Sequence, residues 1–157
     1  MGRRSAVWNL LLAVALGGCL RADTAALARV QAEQALQCRG TNLVSQSLGE
    51  VVLRPRAPLR VRVHESWGCK QSVLYFCRTD RRPVECSPDP VALLGEDLGV
   101  AARTALHVRR TASRARCPTS DERVVQESDT LFRFEACDGT WLHHCRATGC
   151  TRLARLD

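Results

Sequence analysis

Cysteine is the residue type with the most chemical potential in this chain. There are nine: Cys19, Cys38, Cys69, Cys77, Cys86, Cys117, Cys137, Cys145 and Cys150. A cysteine can be a nucleophile, a metal ligand, a redox partner or half of a disulfide, and spacing separates these roles. Structural zinc sites use ligand pairs two to four residues apart, twice over. The gaps here are 30, 7 and 8 residues from Cys38 to Cys86, then 19, 7 and 4 from Cys117 to Cys150. His143-His144-Cys145, with Cys137 and Cys150 nearby, is the densest metal candidate. Adjacent histidines on a strand point to opposite faces, so they do not share one ion. No metal and no cofactor is expected.

Catalytic patterns are equally thin. The chain has no Cys-x-x-Cys pair, Gly-x-Ser-x-Gly elbow, His-Glu-x-x-His helix or phosphate-cradling glycine loop. Glu96-Asp97 and Asp121-Glu122 are paired carboxylates, expected at a helix start and in a turn, where both would be solvated. The chain is therefore expected not to be an enzyme. An envelope redox or metal-binding protein using Cys and His is the alternative. A protease inhibitor is a second, with Thr79-Asp80-Arg81-Arg82-Pro83 between Cys77 and Cys86 as its loop.

The N-terminus reads as an address. Arg3 and Arg4 precede an apolar run, Ala6 to Leu16, interrupted only by Asn9, and small residues follow. This is the three-part pattern of an export signal, and the run is too short to span a membrane, which takes ~20 residues. Residues 1–18 are read as signal peptide and 19–23 as the N-terminus and short tether that follow it, the lipidation of which is implied by a resemblance. Leu16-Gly17-Gly18-Cys19 resembles a bacterial lipobox. The resemblance implies that Cys19 is acylated and becomes the first residue of the mature protein, anchored to a membrane of the bacterial cell envelope. Leu20, where an aspartate would favour retention at the inner membrane, implies the outer membrane. Each buried methylene of an acyl chain contributes ~0.8 kcal/mol, so two or three chains anchor stably.

With Cys19 assigned to lipid, the other eight cysteines form an even set in an oxidising compartment, where disulfides persist. They divide into two groups with a shared Cys-x7-Cys centre and an arginine after the third cysteine of each, Arg78 and Arg146. This reads as a degenerate tandem duplication, with modules at 24–88 and 89–157. At about 60 residues each, such modules bury little surface and need staples. Four cysteines allow three pairings per module; Cys38, at a helix exit, is expected to pair with Cys69 or Cys77, and the same argument applies to Cys117.

Those cysteines need elements to hold them. Thr24 to Gln37 has helix formers and a cap in Asp23 or Thr24, with Ala26, Leu27, Val30 and Gln34 sharing a face. Asp89-Pro90 opens a second helical stretch in which Leu98, Ala101, Ala102, Ala105, Val108 and Ala112 recur at helical spacing, with Gly95 and Gly99 as breakers of its first turns. Strands are expected at Gly49–Leu53, at Leu59–Val63 with Arg60 and Arg62 outward, at Ser72–Cys77, at Arg123–Gln126, at Thr130–Ala136, and at Thr140–Cys145 after the Asp138-Gly139 turn. The expected class is α+β: two small tandem modules, each a helix followed by a short antiparallel β-meander braced by disulfides. The order from residue 24 to 150 also resembles uncharacterised cysteine-rich secreted bacterial lipoproteins, in which a helix leads to Cys, then a Gly-Cys-Gly strand end, an aromatic-x-Cys strand and a last Cys. Gly68-Cys69 and Tyr75-Phe76-Cys77 match part of that pattern; Ala136-Cys137-Asp138-Gly139 departs from it.

At 157 residues, large multidomain enzymes are excluded. Basic residues outnumber acidic ones 23 to 16, a formal +7, and all but Lys70 are arginine. Loss of residues 1–18 removes two arginines and no acid. Arg54, Arg56, Arg60 and Arg62 form one cluster, and Arg103, Arg109, Arg110, Arg114 and Arg116 another. Beyond the membrane reached through the lipid anchor, these point to an anionic envelope component or a protein as partner, and not to nucleic acid, which an exported protein does not meet.

Overall fold

A computed structural model describes residues 23–38, 42–54, 58–113 and 117–157. Leu16, Gly17, Gly18 and Cys19 lie outside the described residues, as do Arg56, Arg114 and Arg116. The class is α+β. The elements run α1 (Thr24–Leu36), β1 (Leu43–Leu53), β2 (Leu59–Gly68), β3 (Gln71–Arg78), β4 (Glu85–Ser87), α2 (Pro90–Leu94), α3 (Glu96–Ala112), a 3-10 turn (Thr119–Asp121), β5 (Arg123–Gln126), β6 (Leu131–Ala136), β7 (Gly139–Arg146) and β8 (Gly149–Arg155).

The sheet differs from two small meanders. All eight strands form one sheet in the order β4-β3-β2-β1-β5-β6-β7-β8. Every neighbouring pair is antiparallel except the central one, where β1 and β5 run parallel with Glu50 opposite Arg123 and Val52 opposite Val125. The physical reason is edge satisfaction: separate meanders would each leave the first strand's outer hydrogen-bonding row bare, and joining β1 to β5 pairs both rows.

Each half covers a different side of this sheet. Successive side chains of a strand alternate faces. On β3, Tyr75 and Cys77 pack with Ala28 and Ala32 of α1, whereas Phe76 packs with the α3 cluster of Ala102, Ala105 and Val108. So α1 and α3 lie on opposite faces. The larger core is on the α3 side, where Leu53, Val61, Val63, Val124, Phe132 and Phe134 are buried. Leu59, Val61 and Val63 are buried and Arg60 and Arg62 exposed, as the alternation at Leu59–Val63 predicts. β4, β8 and the first six residues of β1 carry no comparable alternation signal and lie outside the expected strands.

Local chemistry sets the helix ends. Asp23 caps α1 by accepting from the Ala25 amide at 3.0 Å, and Asp89 caps α2 by accepting from Val91 at 3.0 Å, with Pro90 in the first turn. Gly95, at φ 86°, breaks the second helical stretch into α2 and α3; Gly99 does not break it, but lies inside α3 against Val91. The face that Ala26, Leu27, Val30 and Gln34 share is not the buried face of α1. Thr24, Ala28 and Ala32 are buried, while Val30 is 52% exposed. The sheet beneath α1 presents Tyr75, His64 and the Cys77–Cys86 pair, so the small stripe is what lets the helix approach.

Candidate functional site

The cysteines pair within each group, first with second and third with fourth. Cys38 joins Cys69 and Cys117 joins Cys137, at Cα–Cα 5.9 and 5.6 Å. Each bond ties the segment after a long helix to the turn between the second and third strands of its half. Cys77 joins Cys86 across β3–β4 and Cys145 joins Cys150 across β7–β8, both at Cα–Cα 4.0 Å between directly opposed residues. The Cys69-Lys70 turn needs positive φ at both residues, 51° and 65°, and the Cys38 bond holds it there. Gly68 is required beside it, because a side chain would meet the Asn42 carbonyl and the Cys38 sulfur.

The histidine cluster does not assemble. His143 is buried on the α3 side of β7, opposite Phe132, while His144 alternates to the other face. Burial, followed by the charge of Arg152, lowers the His143 pKa. Cys117, Cys137 and Asp138 bring three donor atoms within 4.8 Å, but the two sulfurs are bonded to each other.

The paired carboxylates divide. Glu96, Asp97 and Asp121 are exposed. Glu122, expected in solvent, is 1% exposed and is the centre of a buried polar knot. Its carboxylate lies 2.9 Å from the Arg109 guanidinium and accepts from the Ser113 hydroxyl at 2.6 Å. Its carbonyl accepts from the Glu50 amide at 3.1 Å, just past a bulge in β1 at Leu48-Gly49. Gly49 has φ 92°, and a side chain there would meet the Glu122 carbonyl oxygen. Thr119 completes the knot by donating from its hydroxyl to the Ser47 carbonyl at 2.8 Å. This is where the two halves are latched, and Arg109, expected on the surface, belongs to it. Burial lowers the Arg109 pKa against the opposing pull of Glu122. An acid latched beside a bulge glycine 73 positions earlier in the chain leaves no local signature.

Of the other clustered arginines, Arg103 pairs with Asp89 at 2.8 Å, Arg110 with Glu65 at 3.6 Å and Arg54 with Glu127 at 3.7 Å. A ladder crosses the sheet on the α1 side. Glu50 meets Arg60 at 3.6 Å and Arg123 at 3.0 Å; Arg133 then links Glu135 at 3.0 Å to Glu127 at 3.1 Å. Such partly exposed pairs contribute roughly 0–1 kcal/mol each. What the ladder leaves over is a cleft of 610 Å³ at the start of α1. Its floor is Glu50, Arg60 and Arg62; one wall is Asp23 and Thr24, and the other is Thr79, Arg81, Arg82 and Val84. Thr79 fixes that loop by donating to the Arg60 carbonyl from its amide at 3.1 Å and its hydroxyl at 3.2 Å. Arg81 pairs with Glu85. Arg78 grips Asp80 at 2.7 Å, and this hydrogen bond lowers the Asp80 pKa. Behind Arg62 lies buried His64, which shares a 2.9 Å hydrogen bond with the Thr24 hydroxyl; burial first, then the Arg62 charge, lowers its pKa. The Thr79–Pro83 loop thus forms part of an arginine-rich wall. Comparisons with protein-family models, with curated proteins and with solved structures give no match to this chain.

Proposed function

We propose that this chain is a lipid-anchored, disulfide-stabilised protein of the bacterial cell envelope, acting as a noncatalytic structural or binding module. The observation that carries the reading is the cysteine count. Four bonds occupy all eight cysteines from Cys38 to Cys150, and Cys19, directly after an export-type apolar run, is the one left over. A bonded cysteine supplies neither nucleophile nor thiolate ligand, which weighs against the redox and metal alternatives. The outer membrane is the proposed destination, from Leu20 after Cys19. Among the described residues, no helix is long and apolar enough to cross a membrane.

We also read the two halves as a tandem repeat. The same element order, a long helix then four strands, and the same first-to-second and third-to-fourth pairing support this. The test is intact mass of the membrane-extracted protein, alkylated without reduction. Acyl mass on Cys19 and no alkyl adduct is the expected result. Alkylated thiols, or an unmodified Cys19, would overturn the reading.

A further inference from the structure

We propose that the cleft at the start of α1 binds the phosphate of an anionic lipid headgroup in the membrane that carries the protein, an inference that rests on the anchoring reading above. Four arginines line this cleft, Arg60, Arg62, Arg81 and Arg82, against two carboxylates, Asp23 and Glu50. Both carboxylates are already engaged. Asp23 caps the Ala25 amide, and Glu50 is shared between Arg60 and Arg123. Arg81 has its partner in Glu85. Arg62 and Arg82 have no counter-charge within ion-pair distance among the described residues. The Asp23 carboxylate sits on the free amides at the start of α1 and offsets the positive end of its dipole, so the arginines supply the excess charge of the cleft. The cleft thus holds more positive charge than its own residues neutralise.

Guanidinium groups match phosphate oxygens in geometry as well as charge, because two N–H donors meet two oxygens. The position of the cleft selects the source of the phosphate. Asp23 and Thr24 are themselves its wall, so the chain enters the fold at the lip of the cleft. Cys19 is four residues earlier, and four residues reach at most ~14 Å. An acylated Cys19 therefore holds the four arginines at headgroup depth, where local lipid phosphate far exceeds any free phosphate in solution. Basic groups near such a surface are drawn to it within a Debye length.

The full chain, purified in nonionic detergent micelles, is titrated with phosphatidylglycerol, with phosphatidylcholine and with inorganic phosphate at fixed ionic strength, following the thermal midpoint. Phosphatidylglycerol is expected to raise the midpoint by roughly 5 °C near saturation. The double variant Arg62→Ala, Arg82→Ala alters two exposed side chains and is expected to keep the wild-type midpoint without lipid while losing the rise. An equal rise in that variant, no rise with phosphatidylglycerol, or a rise with inorganic phosphate alone would each overturn the proposal. Because micelles supply the headgroup whether or not Cys19 is acylated, this result is independent of the mass measurement that judges the anchor.

Discussion

Replacing Glu122 with alanine removes the charge at the centre of the latch between the halves. The Glu122 side chain is 0% and the Arg109 side chain 9% exposed, so water does not replace the lost partner. The guanidinium is left buried without a counter-ion, the Ser113 hydroxyl loses its acceptor, and a cavity opens. Breaking a buried pair from one side costs about 3–5 kcal/mol. Expressed thermally, at 2–4 °C per kcal/mol for a chain of this size, the midpoint falls by roughly 10 °C. Urea unfolding with disulfides intact measures this as a shift in midpoint at unchanged slope. Glu122→Gln keeps an acceptor for Ser113 and loses the charge, so it is expected to fall between wild type and alanine. The double variant Arg109→Met, Glu122→Leu replaces the pair with apolar groups of similar volume and is expected to return to within about 1 kcal/mol of wild type. A cost below about 1 kcal/mol for Glu122→Ala would refute the view that this pair is a desolvated latch.

Three further outcomes follow from other parts of the molecule. Loop-closure entropy ranks the disulfides by sequence separation: replacing Cys38–Cys69, separation 31, with a serine pair is expected to cost about 3.7 kcal/mol, and Cys145–Cys150, separation 5, about 2 kcal/mol, read by equilibrium unfolding. Burial holds His64 and His143 below their ordinary pKa, so the unfolded chain binds protons first as pH falls through about 6.5. Stability is therefore present above that pH and lost below it, at up to ~1.4 kcal/mol per pH unit for each histidine; His64→Gln is expected to flatten the unfolding midpoint between pH 7.5 and 5.5, and an unchanged slope would exclude His64. Ala28→Leu is expected to cost at least ~1–3 kcal/mol by overpacking α1 on the sheet, while Val30→Ala, on the outer side, stays within about 0.5 kcal/mol of wild type by thermal unfolding.

What the sequence carried was local. Alternation at Leu59–Val63, the Asp138-Gly139 turn, the Asp89-Pro90 start and the break at Gly95 are each decided by a few neighbouring residues, and each has its counterpart in the structure. The face shared by Ala26, Leu27, Val30 and Gln34 is not the one that α1 turns to the sheet. Here clearance decides, and the inward residues are Thr24, Ala28 and Ala32. The parallel β1–β5 join and the Arg109–Glu122 pair depend on groups far apart in the chain, and no local pattern encodes them. The arginine cleft was half legible: Arg60 and Arg62 announced themselves as an outward pair, but only the folded β3–β4 loop brings Arg81 and Arg82 opposite them.

The parallel join has a consequence for how the protein is made. Glu50 must wait for Arg123, 73 positions later, before the edge of β1 is satisfied. A chain emerging from its N-terminus completes four strands while presenting an open row of amides and carbonyls. That row accepts any strand of the right register, including β5 of a second copy. Two chains that trade C-terminal halves make the same contacts as one chain closed on itself, so the exchanged dimer differs from the monomer mainly in connectivity. A high local concentration of copies favours the exchange, and the speed with which the second half arrives decides between the two outcomes.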